Sequence, residues 1–160
     1  MEITMNIEKI KFIREKLRVI ERESGGVFEE REDCCGLTTA QCHTLLEIGS
    51  RGSVALVDLA AALGLDTSTL SRTIQGLVIL GLVNRQPNEK DRRYIDISLT
   101  EQGRKVFVEI ESRYNSYIAR VLDLLPAEKQ ETIRESIGAF ADAVLKLKET
   151  GGCCGEGEKP

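Results

Sequence analysis

Side chains that could bind a soft metal ion occur in three short stretches of this 160-residue chain. They are Cys34, Cys35, Cys42, His43, Cys153 and Cys154. Thiolates are soft ligands, so three converging cysteines suit a thiophilic ion such as arsenite or antimonite, whereas four sulfur or nitrogen donors suit zinc. The last two cysteines lie in a glycine-rich, charged segment at 148–160. We expect that tail to be flexible and able to bring its pair to the others.

Four interpretations of these cysteines stay open at the level of sequence. They could bind a soft ion, contribute with His43 and acidic residues to a zinc site, or form a disulfide in response to oxidation. They could also be inert, because Cys42 has the size and polarity of an ordinary core residue. Cys42 and His43 are adjacent, so on a helix they point about 100° apart and would need further ligands to hold one ion.

A second set of side chains has the chemistry that reads DNA. Leu70, Ile74 and Leu77 predict one buried face of a short helix that Asp66 or Thr67 can cap. Hydroxyls suit phosphates, and arginine and glutamine suit base edges. The polar side chains of the other face are Ser68, Thr69, Ser71, Arg72 and Gln75. An apolar helix from about Leu56 comes before it and stops at Gly64, so the two predict a helix-turn-helix.

A short hairpin is predicted directly after this helix. Leu82 to Arg85 and Tyr94 to Leu99 have the composition of two strands, and the polar stretch 86–93 between them reads as a loop. Basic residues concentrate here: Arg85, Lys90, Arg92 and Arg93. The expected fold is mostly α with a small β-hairpin wing, a winged helix-turn-helix with long helices at both ends.

These features together resemble the MarR family of bacterial transcriptional regulators, over roughly residues 6 to 147. The resemblance is carried by Asp66, Ser68, Ser71-Arg72, Gly81-Leu82-Val83, Arg85, Asp91-Arg92-Arg93 and Leu99-Thr100-Glu101-Gln102-Gly103. It implies that Arg93 enters the minor groove, braced by Asp91, while Arg92 and Lys90 contact phosphates. It also implies a homodimer on a pseudo-palindromic operator in double-stranded DNA, with binding relieved by a small effector.

The family's known sensor sites transfer only partly to this chain. Zinc-responsive members take ligands from the same connector and second helix, but also histidines from a long helix that has none here, at 104–125. Peroxide-sensing members carry their cysteine in the first helix, where this chain has none. Cys42 replaces an aromatic residue of the family's second helix. We therefore favour a thiophilic ion as effector, with zinc or oxidation as alternatives and no cofactor required.

The long flanking helices predict how the chain is divided. We expect residues 1–160 to form one protomer, with 6–49 and 100–147 mainly in dimerisation and 50–99 in the DNA-binding lobe. A first helix is expected from about Asn6 to Ser24, ended by Gly25-Gly26, and an acidic connector at 29–32 follows it. A second helix should run from Thr38 or Thr39 to about Ile48, and Pro126 should open the last one.

Charge and composition exclude several other classes of protein. The net charge is −4, but the segment from Thr67 to Lys105 holds seven basic and four acidic residues. A local basic segment on an acidic body favours specific DNA binding over general coating of DNA. No apolar run approaches about 18 residues and the N-terminus does not resemble a secretion signal, so we expect a cytoplasmic protein without membrane contact. One histidine and no catalytic motif argue against an enzyme, which leaves a metal-handling protein that does not bind DNA as the rival.

Overall fold

The computed structural model describes residues 7–29, 36–88 and 91–150 of the chain. Its elements, in order, are α1 (Ile7–Glu29), α2 (Thr39–Arg51), β1 (Ser53–Ala55), α3 (Leu56–Leu63), α4 (Thr67–Ile79), β2 (Val83–Pro87), β3 (Ile95–Leu99), α5 (Glu101–Asp123) and α6 (Ala127–Glu149). The mostly helical class and the winged helix-turn-helix are therefore confirmed. The chain divides into two compact units, Met1–Asn115 and Ser116–Pro160. Within the described ranges, no helix is long and apolar enough to cross a membrane.

The wing is a three-stranded antiparallel sheet in the order β1-β3-β2. Val54 of β1 pairs with Ile97 of β3, and Val83 of β2 pairs with Leu99. The predicted hairpin is thus extended by a third strand, which immediately precedes α3. Ile97 is fully buried, so the central strand anchors the wing in the core of the lobe.

One apolar cluster holds the helix-turn-helix and the sheet together. The stripe predicted for α4 is buried as expected, with Leu70, Ile74 and Leu77 all at 0% exposure. They pack with residues of α2, α3 and the sheet, namely Leu45, Ile48, Val54, Leu59, Ala60, Leu82, Val83, Ile97 and Leu99. Burial of one face of α4 leaves its opposite face directed away from the core.

Caps define the ends of the helices around this core. The Thr38 hydroxyl accepts a hydrogen bond from the Gln41 amide at 3.3 Å, and the Gln41 side chain accepts one from the Thr38 amide at 2.9 Å. Together they form a capping box at the start of α2. Gly64 adopts the left-handed conformation, φ 66°, at the end of α3. That conformation favours glycine, so the tight turn into α4 follows directly from the sequence.

Two predicted helix ends were placed too early. Helix α1 continues through Gly25-Gly26 to Glu29, because glycine costs a helix only about 1 kcal/mol per residue whereas proline would break it. Glu29 is therefore helical, and the rest of the predicted connector, with Cys34 and Cys35, lies outside the described residues. Helix α2 runs past Ile48 to Arg51 and ends at Gly52, whose φ is 82°.

A compact joint connects the end of α4 to the start of α5. The Thr100 hydroxyl donates to the Gly81 carbonyl at 2.7 Å and accepts from the Gly103 amide at 2.9 Å. The Thr100 amide donates to the Leu82 carbonyl at 3.0 Å. A Cβ placed on Gly103 would lie 1.9 Å from that Leu82 oxygen, so the helix can approach this backbone only through glycine.

The second unit contains the end of α5 and the whole of α6. Pro126 is the residue that precedes α6, one position before the first turn in which we expected it. The Gln130 side chain donates to the Leu122 carbonyl at 3.1 Å, which ties α6 to the end of α5. Apolar side chains that recur along one side of α6 are largely exposed: Ile137, Phe140, Val144 and Leu147.

Candidate nucleic-acid interface

The start of α4 is organised by the carboxylate of Asp66. Asp66 Oδ1 accepts hydrogen bonds from Ser68 Oγ at 2.5 Å and from the Thr69 amide at 2.8 Å, and Oδ2 accepts one from Thr69 Oγ1 at 2.6 Å. These bonds hold the pKa of Asp66 well below its usual range, and the bond from the Ser68 hydroxyl has the largest effect. The predicted cap is therefore Asp66, and it is ionised at neutral pH.

The exposed face of α4 carries the side chains expected to meet DNA. Arg72 and Gln75 are exposed, on the side of the helix opposite the buried leucines. Ser71 is half-buried, and its hydroxyl oxygen accepts a hydrogen bond from Arg85 Nη1 of β2 at 3.5 Å. This long contact places a wing arginine beside the helix face. Five of the predicted contact residues, Ser68 to Gln75, thus lie on one short helix.

The tip of the wing presents an arginine held by a carboxylate. Arg93 Nε lies 3.0 and 3.1 Å from the two oxygens of Asp91, and Arg93 Nη2 lies 2.8 Å from Oδ2. The Arg93 side chain is 87% exposed and that of Asp91 33%. The pair lowers the pKa of Asp91 and raises that of Arg93, mainly through these side-chain hydrogen bonds. The pairing that the resemblance implied is present in the folded chain.

A second layer of hydrogen bonds supports that tip. The side-chain oxygen Oδ1 of Asn88 accepts a hydrogen bond from the Asp91 amide at 3.0 Å, and Asn88 Nδ2 donates one to Asp96 Oδ2 of β3 at 2.8 Å. Neither Asn88 nor Asp96 was among the residues predicted to form the site. An asparagine three residues before the aspartate is a typical turn signal, but its link to Asp96 depends on the strand pairing. Arg92 is exposed beside the pair, and Lys90 lies outside the described residues.

Cys42 and His43 are the two predicted effector residues that lie within the described part of the chain. Cys42 is buried at 4% exposure in the first turns of α2, whereas His43 is exposed, as their adjacent positions predicted. Cys34, Cys35, Cys153 and Cys154 lie outside the described residues. In the part of the chain that the structure describes, no three histidine, cysteine or acidic residues converge as a metal site. No described group therefore assembles the predicted sensor.

Comparisons with known proteins agree with this architecture. The MarR family model matches residues 36–93, which contain α2 to the wing tip. The HTH-type transcriptional repressor MdtR of Bacillus subtilis is 32% identical over 94 residues, 59% of this chain and 61% of that protein.

Two solved structures share the fold. A MarR transcriptional regulator from Methanosarcina mazei has a TM-score of 0.75 at 24% identity, covering 86% of this chain and 99% of that one. FabT of Streptococcus pneumoniae, solved in complex with DNA, has a TM-score of 0.76 at 19% identity, with the same coverage. With its capped helix α4 and arginine-tipped wing, the chain resembles the MarR family, whose model matches residues 36–93, and it shares the winged-helix fold of these solved structures.

Proposed function

We propose that this regulator is a dimeric repressor that binds a pseudo-palindromic operator. Helix α4 of each protomer enters a major groove, where Arg72 and Gln75 contact base edges. Arg93 enters the neighbouring minor groove. The observation that carries the proposal is the exposed Arg93 side chain, already held in place by both oxygens of Asp91. The name of MdtR supports repression, and the FabT complex supports DNA as the partner.

The electrostatics of the minor groove explain why a held arginine is useful. A narrow minor groove concentrates negative potential and attracts an inserted arginine. A free arginine loses rotamer entropy when it is immobilised there. Because Asp91 already restricts Arg93, less entropy is lost on binding. Phosphate contacts then fall to Arg85, Lys90 and Arg92, which carry charge without base information.

Exposed apolar surface on the long helices supports the homodimer. On α6, Ile137 is 62% exposed, Val144 52% and Phe140 43%, and they recur on one side of the helix. Helix α1 also exposes Ile10, Phe12, Ile13, Leu17 and Ile20. A monomer would leave these side chains in water, whereas a second copy can bury them in a symmetric interface. We therefore assign dimerisation to 6–49 and 100–147 and DNA binding to 50–99.

Charges placed on the apolar side of α6 should weaken the dimer. The double variant Ile137→Glu/Val144→Glu buries two unpaired carboxylates if a second copy covers this face, which is costly. We expect its dimer dissociation constant, measured by analytical ultracentrifugation, to rise at least about 100-fold. Ala139→Glu adds a charge on the opposite side of the same helix and should leave the constant near wild type. Equal dissociation constants for all three proteins would contradict the interface.

The effector we propose is a thiophilic ion, arsenite or antimonite, bound by the cysteines. Cys42 lies on α2, which packs against the recognition helix α4. The two helices approach so closely that a Cβ at Gly76 would lie 2.7 Å from Gln41 Nε2. A change at Cys42 therefore has a short route to α4. To release DNA, the ion must bind the DNA-incompetent conformation more tightly than the competent one.

Fluorescence anisotropy of labelled DNA from upstream of the protein's own gene tests this proposal. Reduced protein should bind one fragment specifically, and arsenite or antimonite should release it. Release should be lost in Cys34→Ser/Cys35→Ser and in Cys42→Ala, because three thiolates are needed to hold the ion. Cys153→Ser/Cys154→Ser tests the contribution of the tail.

Zinc and peroxide, added separately, distinguish the alternatives for the effector. If zinc is the only addition that releases the DNA, and His43→Ala abolishes this release, then the effector is zinc and not a soft ion. Release by peroxide that dithiothreitol reverses would indicate a disulfide switch instead. Tight ion binding by a protein that binds no fragment specifically would contradict the regulatory proposal.

A further inference from the structure

The protons of two hydroxyls at the start of α4 have defined directions. Ser68 Oγ and Thr69 Oγ1 lie 2.5 and 2.6 Å from the oxygens of Asp66. An ionised carboxylate can only accept hydrogen bonds. Each hydroxyl has one proton, so both protons must point toward Asp66. What Ser68 and Thr69 present to the outside is oxygen lone pairs.

This orientation selects among the groups that DNA offers. Phosphate oxygens are acceptors, so they gain no hydrogen bond from a hydroxyl whose proton is already used. The Asp66 charge repels them further. In the major groove the donors are the exocyclic amines, N6 of adenine and N4 of cytosine, whereas guanine and thymine present acceptors there. Both Ser68 and Thr69 are exposed, as contact with a base edge requires.

We propose that Asp66 is a specificity-determining residue that fixes Ser68 and Thr69 as acceptors for an adenine or cytosine amine in each half-site. We call these three residues the acceptor cluster. The inference rests on the proposed function, in which α4 enters the major groove. It assigns the two hydroxyls to base edges rather than to the phosphates that residue type alone suggests. Asp66 is a positioning residue, since it acts through its two neighbours.

The acceptor cluster is held firmly enough to survive contact with DNA. The Asp66 carboxylate receives a third hydrogen bond, from the Thr69 amide at 2.8 Å, so it is fixed to the helix backbone. Hydrogen bonds to an ionised acceptor are shorter and stronger than those between neutral groups. Removing water at an interface strengthens them again, because the local dielectric constant falls. Reversing either hydroxyl to reach a phosphate would break such a bond.

Asp66→Asn tests the inference with little disturbance of the helix, because asparagine caps a helix about as well as aspartate. Its side chain is neutral and contains one donor group and one acceptor group, so it cannot accept from both hydroxyls in the same way. Wild-type and variant proteins would each select duplexes from a random-sequence library. Affinities would then be measured for the selected site and its single-base changes, together with their salt dependence and the thermal stability of each protein.

We expect the wild-type protein to prefer adenine or cytosine at one position of each half-site. Replacing that base by guanine or thymine should lower its affinity about three- to tenfold, the effect of one lost hydrogen bond. In Asp66→Asn this preference should fall to less than about twofold, while affinity for unrelated DNA rises. Asp58→Asn removes the same charge from the neighbouring helix α3 and should leave the base preference intact.

A double-mutant comparison distinguishes the proposed positioning role of Asp66 from an effect of its charge alone. Ser68→Ala/Thr69→Val should lose the base preference, and adding Asp66→Asn to it should change the preference no further. The proposed role of the acceptor cluster is wrong if Asp66→Asn retains the wild-type base preference. It is also wrong if Asp66→Asn changes the preference by the same amount in the Ser68→Ala/Thr69→Val background as in the wild-type protein. In either case the repressor proposal stands. If the wild-type protein selects no sequence at all, the proposed function fails with it.

Discussion

Replacing Arg93 by alanine is expected to lower the affinity for the operator roughly tenfold or more. The variant removes the side chain that we propose enters the minor groove, and it should leave the rest of the wing in place because the Arg93 side chain is 87% exposed. Arg93→Lys should recover little of this affinity. Lysine keeps the charge but cannot reproduce the planar, two-pronged hydrogen bonding to Asp91. Anisotropy titrations at several salt concentrations measure the change.

Arg92→Ala is the matched control for this prediction. Arg92 is the adjacent exposed arginine, and we assign it to a phosphate. Its loss should weaken binding to operator and unrelated DNA about equally and reduce the salt slope by about one. Arg93→Ala should instead reduce the preference for the operator, because minor-groove width depends on sequence. If the two variants lose the same affinity on both DNAs, Arg93 is merely another phosphate contact.

Asp91→Asn distinguishes the effect of the hydrogen bonds that hold Arg93 from the effect of the negative charge of Asp91. It removes a negative charge next to DNA, which by itself should raise affinity. It also removes the ionised acceptor that holds Arg93 through both its oxygens. If bracing matters, affinity for unrelated DNA should rise while affinity for the operator stays level or falls. A uniform rise on both DNAs would count against the braced arginine.

Gly103→Ala should strongly destabilise the protein, because the added methyl group would meet backbone atoms. The new Cβ would lie 1.9 Å from the Leu82 oxygen and 2.9 Å from the Leu82 carbonyl carbon. Both atoms belong to the backbone, so no side chain can rotate to make room. Overpacking of this kind typically costs about 1 to 3 kcal/mol of unfolding free energy, and a backbone clash belongs at the upper end.

Gly138→Ala is the control, because it makes the same change where there is space. Gly138 lies within α6, and a Cβ there meets nothing within 4 Å. Since alanine favours a helix over glycine, this variant should gain about 0.5 to 1 kcal/mol. Urea denaturation at one fixed protein concentration compares the three proteins, because the stability of the proposed dimer would depend on concentration. Equal stability of Gly103→Ala and wild type would show that the joint tolerates a side chain.

Sequence alone determined the features that depend on near neighbours along the chain. The apolar stripe Leu70, Ile74 and Leu77, the turn at Gly64 and the cap at Asp66 each follow from spacing or from the conformational freedom of one residue type. The pairing of Asp91 with Arg93 is equally local, since one residue lies between them, but it was predicted through the family resemblance. The family resemblance extended these local features to DNA binding.

Only the tertiary structure decided the features that depend on distant segments. The third strand of the wing requires Val54 to meet Ile97, and the joint requires Thr100 to reach Gly81. Contacts of this kind have no periodicity to reveal them. Helix α1 passed through Gly25-Gly26 because glycine weakens a helix without ending it. The direction of the Ser68 and Thr69 protons is a local feature, yet it emerged only when the distances to Asp66 were known, since residue type permits a hydroxyl to donate or accept.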